Sequence, residues 1–131
     1  MEINDMIGKK KVIESACTLD NTAKKIKSGS LEVFATPAMC ALIEQAAAEL
    51  AEEFLSSDRT SVGTMLNIEH ISATPVGIMV RAEAELIEID GKKLVYKVTA
   101  YDEKGEIGRG KHERFIVDRE KFILKTNKKL G

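Results

Sequence analysis

Four polar residues stand where they could do chemistry together. Thr36 precedes a proline at a predicted helix start, Glu44 follows on that helix, His70 ends a predicted strand, and Arg114 lies in the last strand. A carboxylate near a neutral imidazole can divide base and acid work, because desolvation raises the pKa of the carboxyl group and lowers that of the imidazole. Backbone N–H groups at a helix start can also polarise a carbonyl or stabilise an oxyanion. These groups suit acyl transfer or hydrolysis.

Each of these residues also has a purely structural interpretation. A threonine before a proline is commonly only an N-cap, and a lone helix glutamate is commonly half exposed. A strand-end histidine is often just hydrogen-bonded, and an inward arginine is often half of an ion pair. Metal binding is disfavoured, because His70 and His112 are 42 residues apart and neither HExxH nor CxxC occurs. GxSxG, GxGxxG and P-loop motifs are absent as well, so nucleotide folds are not indicated.

The helix that carries Thr36 and Glu44 is the element around which the chain is organised. Thr36 is typical of an N-cap and Pro37 of the first helical position. Residues 38–55 are rich in Ala, Leu and Ile and contain no Gly or Pro, so they predict a helix. Glu44 lies on a flank of small apolar side chains, which leaves room beside it for a ligand. One broad stripe is apolar: Met39, Leu42, Ile43, Ala46, Ala47, Leu50 and Phe54.

Strand patterns lie on both sides of this helix. Asp90-Gly91 is typical of a hairpin turn, and Lys104-Gly105 marks a second turn, so a meander of antiparallel strands follows the helix. The predicted strands span residues 9–18, 31–34, 60–72, 76–89, 94–101 and 106–117. In the strand over 60–72, strict alternation places His70 on the core-facing side with Val62, Thr64, Leu66 and Ile68.

The last strand has the most informative alternation. Arg109, Lys111 and Glu113 form a face that we expect to be solvated, so four residues must point inward: Gly108, Gly110, His112 and Arg114. Inward glycines allow close approach by a helix or a ligand. An inward arginine needs a partner, because an unpaired buried charge is costly. Residues 118–131 are strongly basic, and we expect their end to fray.

Length and composition set the broad class. With 131 residues we expect one α+β domain spanning 1–131. A net charge of −1 provides no basic field for nucleic acid. Cys17 and Cys40 do not form a disulfide framework, which favours a reducing compartment. The segment Met1–Asp5 lacks a signal-peptide pattern, and no uncharged stretch reaches the ~20 residues that span a bilayer. We expect a soluble, cytoplasmic protein without membrane contact.

Taken together, these residues resemble a known family. The resemblance is to the fluoroacetyl-CoA thioesterase-like group of hot-dog-fold thioesterases, and it runs from about Asp20 to Phe122. The segments that carry it are Val33–Pro37 with Glu44, Ser61–Thr64, His70, Ala73–Gly77 and His112–Phe115.

The resemblance implies a fold and a set of roles. It implies an α+β hot-dog fold, in which a five- or six-stranded antiparallel sheet wraps a long central helix, and a homodimer or higher oligomer. It also implies hydrolysis of an acyl-CoA thioester without a metal or redox cofactor. Thr36, Glu44 and His70 match the family's catalytic residues, and Gly63 and Arg114 match its substrate-contacting residues. Glu44 would serve as nucleophile or general base, His70 would transfer the proton, and Thr36 would orient the others or the thioester.

Several points stay open at this stage. A non-hydrolytic acyl-CoA binding or sensing module on the same fold is an alternative. An enoyl-CoA hydratase is a weaker one, because residues 20–36 contain no histidine. A short acyl group of ordinary metabolism is our expectation for the substrate. Eight residues at 1.5 Å rise place Thr36 and Glu44 about 12 Å apart along the helix axis, so we predict that each site combines groups from two chains.

Overall fold

The computed structural model describes residues 3–131. Met1 and Glu2 belong to the predicted domain and to the segment Met1–Asp5 discussed above, and they lie outside the described residues. The described part contains one five-stranded antiparallel sheet with the strand order β1-β3-β4-β5-β2. The strands are β1 (Lys10–Ala16), β2 (Arg59–His70), β3 (Met79–Asp90), β4 (Lys93–Asp102) and β5 (Gly105–Asp118). The helices are α1 (Ala23–Ile26), α2 (Thr36–Glu52) and α3 (Arg119–Asn127), with short 3-10 turns at Ile3–Met6, Leu19–Asn21 and Lys128–Leu130. Among the described residues, no helix is long and apolar enough to cross a membrane.

The core lies between α2 and the concave face of the sheet. The apolar stripe predicted for the helix is buried over its length, except that Phe54 lies beyond the helix and is only partly buried. The helix ends at Glu52, three residues before the predicted end, because Glu53 and Phe54 bond back to Leu50 and Ala51 in tighter turns. The inner faces of β3 and β4 supply the opposing side chains: Val80, Ala82, Ala84, Leu86, Leu94, Tyr96, Val98 and Ala100. The predicted alternation is therefore confirmed in β3 from Val80 to Leu86, whereas burial does not alternate along β4, because Val95 and Thr99 on its other face are buried as well.

The start of α2 differs from the prediction. Ala35, with an extended backbone, is the N-cap residue, and no side chain caps the helix. Thr36 is already the first helical residue, so the N-cap assignment from the sequence is wrong. The Thr-Pro pair misled the prediction because proline is typical of the first helical position, whereas Pro37 is the second residue of this helix. The consequence is that the Thr36 hydroxyl is not used to cap the helix.

Strand β2 also departs from strict alternation. Its pairing with β5 shifts between Gly63 and Met65, which marks a β-bulge. Ser61 is buried before the bulge, and Ile68 packs against the core after it, although the two positions have opposite parity. A bulge inserts one residue and resets which side chains face inward. The prediction that Val62 and Thr64 share the face of His70 is therefore wrong, whereas the shared face of Ile68 and His70 holds.

Other sequence predictions have mixed outcomes. The hairpin at Asp90-Gly91 is confirmed, with Gly91 at a φ of 61°. Residues 31–34 form only isolated bridges instead of a strand. The chain after Asp118 does not fray at once, because the Asp118 carboxylate accepts a hydrogen bond from the Lys121 N–H at 2.9 Å and starts α3. The predicted inward face of β5 is confirmed at Gly108, since a Cβ there would lie 2.6 Å from the Met39 sulfur of α2.

Candidate active site

The start of α2 meets the end of β2 in a side-chain hydrogen bond. Thr36 Oγ1 lies 2.7 Å from His70 Nδ1. The contact forms because Thr36 occupies the first helical turn without capping it, so its hydroxyl is free to turn toward the sheet. Thr36 is exposed and His70 is half buried. Two residues that are 34 positions apart in sequence therefore form one polar pair at the rim of the fold.

The second ring nitrogen of His70 has no protein partner from residue 3 to residue 131. Nε2 is buried and has no hydrogen-bond partner among the residues that the structure describes. Burial lowers the pKa of His70, and the backbone at Ser72 partly opposes that effect. The imidazole is therefore neutral near pH 7, with one nitrogen able to give or accept a proton. An open cleft of about 290 Å³ lies at this point, lined by Thr36, His70, Val33, Phe34 and Ala73 among others.

Glu44 lies two helical turns further along α2, against a different part of β2. A Cβ placed on Gly63 would lie 2.8 Å from Glu44 Oε2, so the carboxylate rests directly on the glycine backbone. Arg114 Nη1 lies 4.0 Å from the same oxygen. The Glu44 side chain is 44% exposed in the single chain, whereas that of Arg114 is 9% exposed. The absence of a side chain on Gly63 thus allows the carboxylate to approach the strand backbone closely.

Arg114 is held in place by hydrogen-bond acceptors of the protein. Its Nε donates to Ser61 Oγ at 2.7 Å, and its Nη2 donates to the Ser61 carbonyl at 2.9 Å. Its Nη1 lies 3.3 Å from His112 Nε2. Burial lowers the pKa of Arg114, while Tyr96 and Glu44 oppose that effect. An arginine remains charged even so, and the inward cation predicted from alternation has a carboxylate and three acceptors around it.

The structure brings the predicted residues together in two groups instead of one. The first group is Thr36 with His70, and the second is Glu44 with Gly63 and Arg114. Eight helical residues separate Thr36 from Glu44, which corresponds to about 12 Å along the axis. Each group therefore forms half of a site within one chain. Neither half alone holds both a carboxylate and an imidazole at hydrogen-bond distance.

The second group is supported by two residues for which the sequence predicted no role, Ser61 and His112. Ser61 supplies two of the bonds to Arg114, and His112 supplies the third. The available signal was alternation: Ser61 lies two positions before Gly63, and His112 lies two positions before Arg114, on the same inward faces. No group of three or more His, Cys, Asp or Glu side chains within residues 3–131 is arranged to hold a metal ion.

A long helix packed in the concave face of an antiparallel sheet, with polar residues along that helix, defines the hot-dog class of folds. A hot-dog-like protein from Thermanaerovibrio acidaminovorans has a TM-score of 0.89 to this chain at 21% identity, covering 100% of this chain and 98% of the other. At that identity the similarity concerns the fold. The predicted hot-dog fold, with five strands, is confirmed.

Closer comparisons define the family. The family model described as fluoroacetyl-CoA-specific thioesterase matches residues 17–120. The fluoroacetyl-CoA thioesterase of Streptantibioticus cattleyicolor is 40% identical over 98 residues, which cover 75% of this chain and 70% of that protein. A solved structure of the fluoroacetyl-CoA thioesterase FlK is 32% identical with a TM-score of 0.89, covering 94% of this chain and 96% of the other. The chain belongs to the fluoroacetyl-CoA-specific thioesterase family and is a thioester hydrolase, as the resemblance implied.

Proposed function

We propose that this protein is an acyl-CoA thioesterase that hydrolyses a short-chain acyl-CoA to a free acid and CoA. The observation that carries the proposal is the hydrogen bond between Thr36 and His70, two residues that line an open cleft, together with a His70 Nε2 that has no partner within the described chain. A neutral imidazole with a free nitrogen can accept a proton during the reaction and pass it on to the departing thiolate. Family membership supplies the reaction class to which this geometry is suited.

The proposed substrate class is based on the molecules bound in solved structures of relatives and on the size of the cleft. One solved FlK variant is in complex with fluoroacetate and CoA, and another is in complex with acetyl-CoA. The cleft beside His70 has a volume of about 290 Å³ and is lined partly by small or apolar side chains, including Ala23, Val33 and Ala73. That size suits a short acyl group better than a long one. We therefore infer an acyl-CoA with a short acyl chain, fluoroacetyl-CoA being one candidate.

The two half-sites supply the groups that hydrolysis needs. Glu44 either attacks the thioester carbonyl carbon or removes a proton from a water that does so. The carbon–sulfur bond then breaks. In the general-base route His70 takes the proton that Glu44 removed from the water and passes it to the sulfur of CoA. In the nucleophilic route a water hydrolyses the acyl–Glu44 anhydride to the free acid, and a proton of that water reaches the sulfur of CoA through His70. Thr36 orients His70 or the thioester, while Gly63 and Arg114 contact the substrate beside Glu44. Because the reaction transfers an acyl group and protons without a change of oxidation state, it needs no redox cofactor, and the proposed route uses these side chains instead of a metal.

We propose further that the site is shared between two chains of a homodimer. In a two-fold antiparallel pairing of two β2 strands centred near Leu66, His70 of one protomer lies opposite the partner's Gly63. The partner's Glu44 would then face the Thr36–His70 pair across the interface. This arrangement joins the two half-sites, which one chain keeps about 12 Å apart along the helix.

Features of β2 support this interface. The strand is 12 residues long and lies at one edge of the sheet, where its outer backbone groups are available for pairing. Leu66 on this strand is 37% exposed, and Met65 and Ile68 are partly exposed. Edge strands of monomeric proteins are usually kept short or charged, because a long apolar edge pairs with other chains. A second copy of β2 is the occupant that fits.

The remaining expectations complete the proposal. We infer a single domain over 1–131, with the dimer as its smallest functional assembly and a higher oligomer as a further option. Cys17 and Cys40 are both free thiols, which suits a reducing compartment such as the cytoplasm.

A panel of acyl-CoA thioesters tests the activity. We expect thiol release from acetyl-, fluoroacetyl- and propionyl-CoA, and a loss of about 10³-fold in kcat for Glu44→Gln, which removes the charge but keeps the shape. Glu49→Gln is the matched control, because Glu49 lies on the same helix and bonds only to Gln45 there. Equal rates for wild type and Glu44→Gln would refute the assigned chemistry. Thermal stabilisation by an acyl-CoA without turnover would favour the binding or sensing module instead.

Mixed dimers test the shared site. We expect that Thr36→Ala chains mixed with Glu44→Ala chains regain about a quarter of wild-type activity, since half of the dimers are mixed and each carries one intact site. The control is a mixture of Thr36→Ala with His70→Ala, which damages the same half-site in both chains and should recover nothing. Recovery in neither mixture, from chains that are shown to exchange, would contradict the shared site.

A further inference from the structure

His112 is fully buried behind the Glu44 half-site. Its Nδ1 lies 2.7 Å from the Met65 carbonyl oxygen, and its Nε2 lies 3.3 Å from Arg114 Nη1. The Tyr96 ring stacks on the imidazole with a centroid separation of 5.9 Å and an interplanar angle of 26°. The family resemblance covers this position but assigns it no role. Both ring nitrogens of His112 are therefore in contact with protein groups, next to the charged pair formed by Arg114 and Glu44.

The contacts of His112 fix its protonation state. A carbonyl oxygen can only accept, so Nδ1 carries a hydrogen and donates to Met65. Arginine has no acceptor, so Arg114 donates and Nε2 must offer a lone pair. Both bonds exist only in the neutral Nδ1–H tautomer. A second proton on Nε2 would place two N–H groups against each other and break the contact to Arg114.

Arg114 approaches Glu44 without closing onto it. The distance from Nη1 to Glu44 Oε2 is 4.0 Å, whereas a charge-assisted hydrogen bond between such groups is about 2.7–2.9 Å. Of the contacts to Arg114, only the one from His112 engages Nη1, the nitrogen that faces Glu44. The two bonds to Ser61 hold Nε and Nη2. Because the guanidinium is rigid and planar, the only movement left to Nη1 is a tilt of the whole group about the line through those two atoms. His112 is thus the group that decides where Nη1 rests.

We propose that His112 is a positioning residue: it holds Arg114 Nη1 away from Glu44, so that the carboxylate is steadied by a nearby cation but remains available for reaction. A direct ion pair would occupy the carboxylate oxygen and weaken it as nucleophile or base. The inference rests on the proposed role of Glu44. It adds to that role a reason why a histidine, with an acceptor nitrogen, stands two residues before Arg114.

The surroundings keep His112 in the state that this role requires. Burial lowers its pKa, and Arg114 on the same strand acts in the same direction. The Met65 carbonyl, Glu44 of α2 and Glu113 of β5 oppose that effect, and Tyr96 of β4 covers the ring. The net direction favours the neutral ring at neutral pH. Nε2 therefore keeps its lone pair for Arg114 under ordinary conditions.

Two substitutions separate hydrogen bonding from packing. His112→Phe keeps a ring against Tyr96 but offers Arg114 no acceptor, and we expect kcat to fall about tenfold while KM changes less than about threefold. In His112→Gln the amide oxygen can accept from Arg114 Nη1, so we expect most of kcat to return. A residue with a merely structural role would show a lower melting temperature in both variants without this split or rescue.

A measurement on the wild-type protein tests the same inference without relying on variants, which could fail to fold. Nitrogen NMR of the histidine rings should show His112 protonated on Nδ1 and unprotonated on Nε2 at neutral pH. Protonation on Nε2, or kcat values for the Phe and Gln variants equal to wild type, would overturn the inference. If wild type hydrolyses no acyl-CoA, the proposed function itself fails. If wild type is active and the His112 variants match it, only the positioning role fails.

Discussion

The two half-sites of one chain are built in opposite ways. Thr36 is exposed, His70 is half buried, and His70 Nε2 has no partner in the described part of the chain. Around Glu44, by contrast, the supporting side chains are buried and hydrogen-bonded, with Arg114 anchored by Ser61 and His112. The first half leaves a proton-transfer group free, whereas the second fixes the surroundings of a carboxylate.

This difference indicates that the two halves have different tasks: one keeps a proton-transfer group available to a ligand, and the other keeps the groups around a charge preorganised. A group that must exchange a proton with a ligand cannot have all its bonds satisfied by protein. A charge that must be stabilised without reorganisation is best surrounded by groups that are already fixed. The rigid half also faces the sheet interior, where stray motion is limited by packing. We therefore expect mutations in the two halves to differ in their effects on activity and on stability.

Among the residues that support the reacting groups, the largest effect is expected at the glycine beneath the carboxylate. In Gly63→Ala the new Cβ would lie 2.8 Å from Glu44 Oε2, so the carboxylate must move. Because a displacement of about 1 Å at a reacting group can cost about 10²-fold, we expect kcat/KM to fall by roughly that factor. The melting temperature should change little, since the atom that moves is the end of a flexible side chain. Thiol release and thermal denaturation measure the two quantities.

Gly108→Ala is the matched control for this prediction. A Cβ on Gly108 would lie 2.6 Å from the Met39 sulfur, in the core instead of at the site. We expect it to lower the melting temperature more than Gly63→Ala does, and to reduce activity less. Unchanged activity in Gly63→Ala would mean that Glu44 does not rest on Gly63 during turnover.

The open half gives a smaller and more selective effect. Thr36→Ala removes the hydroxyl that bonds to His70 Nδ1, and we expect kcat to fall about tenfold, the equivalent of one hydrogen bond of about 1.4 kcal/mol. Stability should hardly change, because Thr36 is not the N-cap, whereas loss of a capping threonine costs about 1 kcal/mol. Thr36→Ser should retain activity. A clear drop in melting temperature for Thr36→Ala would restore the capping interpretation.

Sequence reasoning predicted the exposed half less well than the buried one. Alternation in β5 placed His112 and Arg114 inward, and the structure confirms both, because a period of two is a direct consequence of strand geometry. At the helix start, the typical placement of proline at the first helical position assigned Thr36 to the N-cap, but Pro37 is the second residue of the helix and Thr36 the first. That single-residue shift converts a capping hydroxyl into a free one.

The bulge in β2 shows what periodicity cannot supply. Strict alternation from Val62 to His70 fails because Thr64 is extra in the pairing with β5. The neighbouring Gly63 is compatible with a bulge, but a strand glycine alone does not fix where the extra residue falls. The bulge lets Gly63 and His70 both face the helix, although their positions differ in parity. Bonds such as those from Ser61 to Arg114 depend on this register, so they could not be derived from the sequence alone.

The smallest expected effect concerns pH and compares one histidine from each half. Burial lowers the pKa of both His70 and His112 relative to an ordinary histidine. Below about pH 6.5 the unfolded chain takes up protons that the folded chain does not yet bind, so the free energy of unfolding should decline as the pH falls from there toward the lowered folded values. Urea denaturation at pH 7.5, 6.5 and 5.5 measures this decline.

Single substitutions assign that decline to the two halves. His112 is fully buried and His70 only half buried, so His112→Phe should remove more of the pH dependence than His70→Phe. The reverse order would mean that the carboxylate half admits water more readily than the cleft does. A wild-type stability that is flat between pH 7.5 and 5.5 would contradict the burial of both rings. The rigid and open halves would then no longer differ in the solvation of their histidines, and the division of labour between them would lose its physical basis.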